Sequence, residues 1–196
     1  MNATTMRLTG APYRPTAVVQ DGIVAILIFV ATEIMFFSGL ISAFLVVKAG
    51  AAWPPPDQPR LPIEATAFNT LILLASGVAL LRTNRAFVEL RDAELARKLL
   101  GLAMGLGAFF VVFQGYEWVR LIEFGLTVKS STYGAFFYLI VGAHALHAVA
   151  ALVALGYCHL RLLQGELTRA TFSTTQIFWY FVVLLWPILY TLVYLL

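Results

Sequence analysis

The sequence carries little charge and a single cysteine. Lys, Arg, Asp and Glu together make up 12% of the 196 residues, and the cysteine is Cys158. One cysteine cannot form a disulfide within the chain, and neither a thiol-pair motif nor a CxxCH haem-attachment motif can be built from it. The sequence also lacks a glycine-rich phosphate-binding loop and a nucleophile with an adjacent base. We therefore predict that the chain has no catalytic centre of its own.

Hydrophobic residues dominate the composition instead. They make up 61% of the chain, and the mean hydropathy is +0.86. A soluble domain of this length could not bury so much apolar surface, which predicts an integral membrane protein. The strands of a membrane β-barrel alternate apolar and polar residues in runs of about ten, and this sequence shows no such alternation. The basic residues lie in short loops beside the apolar segments, so the pI near 9.2 does not imply a nucleic-acid partner.

The apolar segments predict an all-α protein with five transmembrane helices in a single membrane domain. The predicted spans are residues 22–48, 67–87, 99–124, 132–163 and 173–196. Residues 1–21 are predicted to form a short extended tail, residues 49–65 a proline-rich loop and residues 82–98 a charged turn.

The distribution of basic residues predicts the orientation of the five spans. If the amino terminus is inside, the inner loops contain nine Lys and Arg residues and the outer loops contain four. Cytoplasmic loops carry the excess of Lys and Arg in membrane proteins. We therefore expect a cytoplasmic amino terminus and a periplasmic carboxyl terminus.

One carboxylate, Glu33, lies near the middle of the first predicted span. At about 1.5 Å per residue it lies roughly 16 Å from the start of that span, close to the midplane of a hydrocarbon core about 30 Å thick. An acidic residue there costs about 2.5–3.5 kcal/mol on insertion scales. Glu33 should therefore face a cavity or a partner helix. It is either a functional group or a protonated glutamate hydrogen-bonded to a neighbouring helix.

Two histidines lie at a depth similar to that of Glu33. His144 and His147 are spaced i, i+3 and so share one face of the fourth span. Because their depth agrees with that of Glu33, a polar group of this span should lie within reach of the carboxylate. The two histidines could also bind one metal ion with Glu33 as a third ligand, but a histidine hydrogen-bonded to a neighbouring helix is the commoner arrangement. Gln114 and Glu117 are predicted at the end of the third span, near the opposite surface of the membrane.

Small residues predict where helices approach one another closely. We expect the partner-binding face of the chain to include either the small residues of the second span or the glycines of the third. The alternative is that these residues pack inside the helix bundle. The residues concerned are Ala75, Ser76, Gly77 and Ala79 in the second span and Gly101 and Gly105 in the third.

Six segments in order give the chain a resemblance to a known family from Gly22 onward. They are ATEIMFFSGLISAF, WPP, NTLILLASGVAL, QGYEW, YGAFFYLIVGAHALH and FWYFVVLLWPILYTLVYL. Together they resemble subunit III of the haem-copper terminal oxidases. By this resemblance Glu33 matches the family's intramembrane glutamate, His144 and His147 match the histidines of its GxHGLH segment, and Glu117 matches the acid of its QxxEY segment.

The resemblance implies an accessory subunit in a bacterial plasma membrane. Such a subunit binds no haem or copper itself, packs beside the catalytic subunit I, binds phospholipid and supports sustained proton uptake during oxygen reduction. Subunit II and a small subunit IV are expected in the same complex, where the partner subunits carry the haem and copper. Longer family members have two additional helices before the segment that matches Gly22. A lipid-filled cleft separates those two helices from the other five. In this short form, either another subunit supplies the two helices or the cleft is open to bilayer lipid.

The sequence departs from the family pattern in its last helix. The family's WHFVD segment is WYFVV here, at residues 179–183, and the glycine of GxHGLH is Ala145. Two other functions also remain as alternatives. One is a subunit III relative serving a nitric oxide reductase, and the other is a proton-coupled transporter that uses Glu33 and the histidines as a relay.

Overall fold

The computed structural model describes the backbone of residues 16–50 and 61–196, and side chains from residue 22 onward within those ranges. This part of the chain is helical and contains no strand. The helices, in chain order, are α1 (Thr16–Ala49), α2 (Ile63–Asn84), α3 (Ala93–Glu123), α4 (Thr132–Leu163) and α5 (Arg169–Tyr190). All five are long and apolar enough to cross a membrane, as predicted.

Several boundaries differ from the predicted ones. α1 already begins at Thr16, so residues 16–21 are helical rather than extended, whereas residues 1–15 of the predicted tail lie outside the described part. α2 begins at Ile63, directly after Pro62, inside the predicted proline-rich loop. Residues 51–60 of that loop are likewise outside the described ranges.

The prediction of a charged turn over residues 82–98 was wrong. α2 continues to Asn84 and passes into a π-helical segment, Arg85–Glu89, and α3 begins at Ala93. Charged side chains stabilise these helical turns, since Arg85 pairs with Glu89 at 3.3 Å and Lys98 with Glu94 at 3.4 Å, both at i, i+4 spacing. The Asp92 side chain caps α3 by accepting a hydrogen bond from the Leu95 amide at 2.9 Å. The non-helical connection is therefore only three residues long, Leu90 to Asp92.

Glycines in the left-handed conformation end α3 and α4. Gly125 has φ +90° and Gly165 has φ +72°. The residue after each glycine donates a backbone hydrogen bond of 2.9 Å to the last turn of the preceding helix. This arrangement satisfies carbonyl groups at the helix ends, and a residue without a Cβ adopts it at no steric cost.

α5 occupies the centre of the bundle. It packs against α1, α2 and α4, while α2 packs most extensively against α3. Trp179 and Trp186 of α5 are fully buried. The Trp179 indole N–H donates to Ser76 Oγ at 3.1 Å, and the Trp186 indole N–H donates to Thr70 Oγ1 at 2.9 Å. Lipid gives helices little hydrophobic reason to associate, so such interhelical hydrogen bonds and close packing hold α5 to α2.

The small residues of the second and third spans have different environments. Ser76, Gly77 and Ala79 of α2 are buried within the chain, and an added Cβ on Gly77 would lie 3.0 Å from the Val183 side chain. These three residues of α2 therefore pack inside the bundle, which is the alternative considered for them, and the partner-binding face itself stays a prediction. Gly101 and Gly105 of α3 are exposed, as is Ala75.

α1 lies at the edge of the bundle. It packs against α5 and makes a smaller contact with α4, and most of its apolar side chains are exposed. Phe37 and Phe44 are the side chains by which α1 enters the core, since both are only 1% exposed. Glu33 lies one helical turn before Phe37, so it points toward the same side of α1.

Candidate functional site: an intramembrane glutamate and histidine

The central feature of the site is a direct contact between α1 and α4. Glu33 Oε2 lies 3.0 Å from His147 Nε2, and the two side chains are 17% and 15% exposed. Glu33, which is predicted to lie near the membrane midplane, therefore has a polar neighbour from the fourth span. The remaining surface of the site is accessible from outside this chain.

Aromatic rings surround the histidine. The His147 ring lies edge-on to Phe37 of α1 at 5.5 Å between centroids, and it also contacts Phe178 and Phe181 of α5 at 6.3 Å. These rings exclude water from the buried side of the contact. In such surroundings an unpaired charge is costly, which favours a site that is neutral as a whole.

The other ring nitrogen of His147, Nδ1, also has a polar neighbour. Nδ1 is 2.7 Å from the carbonyl oxygen of Ala143, one turn earlier on α4. A carbonyl oxygen can only accept, so Nδ1 carries a hydrogen and donates it. A hydrogen bond between Nε2 and Glu33 Oε2 at 3.0 Å then needs one proton on one of the two atoms. That proton lies either on the carboxyl group or on the imidazole, and the net charge of the pair is zero in both cases.

His144 occupies a different environment. Its side chain is 1% exposed and packs against the Trp186 ring at 4.8 Å and the Phe110 ring at 6.2 Å. Neither ring nitrogen has a hydrogen-bond partner among the described residues. Of the two histidines predicted near Glu33, only His147 therefore contacts it directly.

Glu117 is buried within the bundle near the end of α3. The residue is 4% exposed, and its Oε1 lies 3.7 Å from Nη1 of the half-exposed Arg120. Gln114, one turn earlier, is also buried, and its amide donates to the Tyr194 hydroxyl at 3.2 Å. The i, i+3 spacing of Gln114 and Glu117 was visible in the sequence and could have indicated a shared buried face.

The residues considered as metal ligands do not form one cluster. In the described part of the chain, no group of three or more His, Cys, Asp or Glu side chains is arranged to hold a metal ion. Glu33 and His147 make a two-residue contact, and His144 faces Trp186 instead. A metal site of two histidines and one carboxylate would need Glu33, His144 and His147 around one ion. The structure therefore does not support such a site.

Comparison with known proteins gives consistent matches over most of the chain. The family model described as cytochrome c oxidase subunit III matches residues 8–196. A Mycobacterium leprae protein named probable cytochrome c oxidase subunit 3 is 32% identical over 176 residues, which cover 87% of this chain and 86% of that protein. The cytochrome c oxidase subunit 3 of Sus scrofa is 31% identical over 190 residues, which cover 91% of this chain and 71% of the pig protein. A Nocardia farcinica protein with the same name as the Mycobacterium one is 31% identical over 176 residues.

Proposed function

Because the chain belongs to the cytochrome c oxidase subunit III family, we propose that its Glu33 and His147 pair supports sustained proton uptake by the oxidase complex in which it is an accessory subunit. The observation that carries this proposal is the 3.0 Å contact between Glu33 Oε2 and His147 Nε2, which joins two helices long and apolar enough to cross a membrane. Because of this contact we assign the function to Glu33 and His147 rather than to His144, which is more deeply buried in the bundle.

The pair has two properties that suit a group holding a proton inside a membrane. First, moving the shared proton between the carboxyl group and the imidazole leaves the net charge unchanged, which avoids an uncompensated charge in the hydrocarbon core. Second, the contact lies at the edge of the bundle on α1, where 17% of the Glu33 side chain is exposed from this chain. A neighbouring subunit, lipid headgroup or water could therefore exchange a proton with it.

The partners follow from the family. We propose direct packing against subunit I, with subunit II and a small subunit IV in the same complex, and haem and copper in the partner subunits. Gly101 and Gly105 of α3 are exposed and offer a surface on which a partner backbone could approach closely. This proposal retains the third-span part of the predicted partner-binding face.

Phospholipid is proposed to bind between α1 and α5. A groove there has a volume of about 530 Å³ and is lined by aliphatic and aromatic side chains together with Ser38. They include Val30, Ile34 and Phe37 from α1 and Tyr180, Leu184 and Ile188 from α5. An acyl chain would fill this groove with apolar contacts. We place the protein in a bacterial plasma membrane because its relatives include bacterial proteins, and we place its amino terminus in the cytoplasm from the distribution of Lys and Arg.

The test is the substitution Glu33→Gln in the complete oxidase complex. Glutamine keeps the size of the side chain and can donate a hydrogen bond to His147 Nε2, but it cannot release a proton under these conditions. We expect haem content and initial turnover to remain close to those of the original complex, and the number of turnovers before inactivation to fall severalfold. Glu117→Gln is the matched control, since it removes a buried carboxylate outside the pair.

Two results would contradict the proposal. If Glu33→Gln abolished the first turnovers at full haem content, the glutamate would be a direct relay rather than an accessory group. If both variants sustained turnover equally well, the pair would have no part in endurance. Co-purification with haem spectroscopy identifies the partner, because the spectra distinguish an oxidase from a nitric oxide reductase, and a transporter would yield no haem-containing partner.

A further inference from the structure

An arginine in the connection between α2 and α3 has a backbone conformation that favours glycine. Arg91 has φ +54°, and the other two described residues in the left-handed region are Gly125 and Gly165. The Asp92 amide donates to the carbonyl oxygen of Ala86 at 3.0 Å, so the turn closes as it does after the two glycines. A side chain is sterically unfavourable in this conformation, whereas glycine adopts it without cost. An arginine at this position therefore suggests that its side chain has a use.

This end of the bundle has more cations than its own carboxylates engage. Five basic and three acidic residues lie between Arg82 and Lys98. Two of the acidic side chains form ion pairs with other basic residues, and the third caps α3. Arg82 and Arg91 are exposed, and neither pairs with a carboxylate within the described ranges. Two guanidinium groups are therefore free to bind an anion from outside the chain.

The length of α2 places these two arginines at the membrane surface. Glu64 and Arg82 bracket a stretch of α2 without any charged residue. They lie about 27 Å apart along the helix axis, close to the thickness of a hydrocarbon core of about 30 Å. Arg82 therefore lies at the edge of the hydrocarbon. Arg91, beyond the π-helical turn that follows α2, lies at the level of the lipid headgroups.

An exposed leucine directly precedes each of the two arginines. Leu81 is 55% exposed and Leu90 is 60% exposed. Each pair of residues therefore presents an apolar side chain next to a cation. This combination suits the boundary between acyl chains and headgroups, where an arginine keeps its charged end among polar groups. It favours a phospholipid over an acidic segment of a partner protein, which would have no use for the leucines.

We propose that the connection between α2 and α3 binds the phosphate group of an anionic phospholipid, with Arg91 as the principal contact and Arg82 as a second cation. The planar guanidinium group can donate two parallel hydrogen bonds to a phosphate, which gives geometric specificity as well as charge attraction. This headgroup site is separate from the groove between α1 and α5. It does not depend on the role proposed for Glu33 and His147.

The test uses Arg91→Gly in the complete oxidase complex, stripped of lipid in detergent and titrated with phosphatidylglycerol. The rise of the thermal midpoint with lipid concentration reports the affinity. We expect the variant to bind phosphatidylglycerol about fivefold more weakly. Without added lipid its midpoint should be higher than that of the original complex, because glycine relieves the backbone strain. Arg91→Asn tolerates the left-handed conformation but lacks the charge, so it should lose affinity to the same extent.

Arg85→Gln is the matched control. It removes one positive charge from the same end of the bundle, but the Arg85 side chain is already paired with Glu89, so the affinity should stay close to the original. Equal losses in the Arg85 and Arg91 variants would show diffuse charge attraction and overturn the proposal. Unchanged affinity in both Arg91 variants would overturn it as well. So would protection of the original complex by phosphatidylcholine or by inorganic phosphate equal to that by phosphatidylglycerol. Loss of a partner subunit from the Arg91 variants, with lipid affinity retained, would assign the arginine to a protein contact instead.

Discussion

The contact between Glu33 and His147 can be measured as a coupling free energy. The perturbation is a double-mutant cycle built from Glu33→Leu, His147→Leu and the combined variant, each assembled in the complete complex. His147→Leu also removes ring contacts with Phe37 and Phe178. The cycle cancels these losses, because they occur in both the single and the double variant.

The structure sets the expected magnitudes. Glu33→Leu leaves His147 Nε2 without its partner at 3.0 Å, which should cost about 1–3 kcal/mol. The double variant removes both polar groups and should cost less than the sum of the single ones. A neutral hydrogen bond between transmembrane helices couples its partners by about 0.6–1.7 kcal/mol, whereas a bond between charged groups contributes about 1.5–3 kcal/mol. Glu33→Gln should cost the least of the Glu33 variants, because it can still donate to Nε2.

The assay is thermal unfolding of the complex, followed for each variant under the same detergent and lipid conditions. For a chain of this size, 1 kcal/mol corresponds to a midpoint shift of about 2–4 °C. A coupling near the lower range identifies a neutral hydrogen bond, and one near the upper range identifies an ion pair. If the single costs add to within about 0.3–0.5 kcal/mol of the double cost, the residues do not interact and the site is refuted.

Three further predictions concern packing, assembly and helix capping. Gly107→Ala should lower the thermal midpoint by an overpacking cost of about 1–3 kcal/mol, since its Cβ would lie 2.5 Å from the Trp179 ring. Gly115→Ala is its control, because no described atom outside the helix backbone lies within 4 Å of that Cβ, and an equal loss in both variants would contradict this reason. A Cβ on Gly105 also has open space around it, so Gly105→Leu should leave the chain folded. It should reduce the retention of the chain in the complex through mild-detergent purification. Full retention would place the interface elsewhere. Asp92→Ala removes the cap at the Leu95 amide and should cost about 0.5–2 kcal/mol, with Asp92→Asn retaining most of the stability.

The five spans could be predicted because a membrane imposes a length and a composition on each helix. The positions of their ends could not, since helices continue beyond the apolar core. Charged residues after Arg82 suggested a turn, yet Arg85 with Glu89 and Glu94 with Lys98 have the spacing that stabilises helix. This i, i+4 spacing predicts helix on both sides of the connection and therefore a shorter turn.

The role of the small residues could be predicted only in part. A small side chain indicates that a neighbouring backbone or ring approaches closely, but it does not indicate whether the neighbour belongs to the same chain. Gly77 meets Val183 and Gly107 meets Trp179, both inside this bundle. Gly105 meets nothing within 4 Å among the described residues, which is why it remains available to a partner.

The two histidines of α4 show what helical periodicity can and cannot specify. Residues three apart on a helix differ by about 60° around its axis, so they share a broad face but need not share a neighbour. His147 reaches Glu33 of α1, whereas His144 lies against Trp186 of α5. His147 contacts a carboxylate at the edge of the bundle, whereas His144 holds two nitrogens without a described partner in the bundle interior. The two histidines of one motif therefore have two different environments, and Glu33→Gln should affect that of His147 without changing the packing of His144 against Trp186.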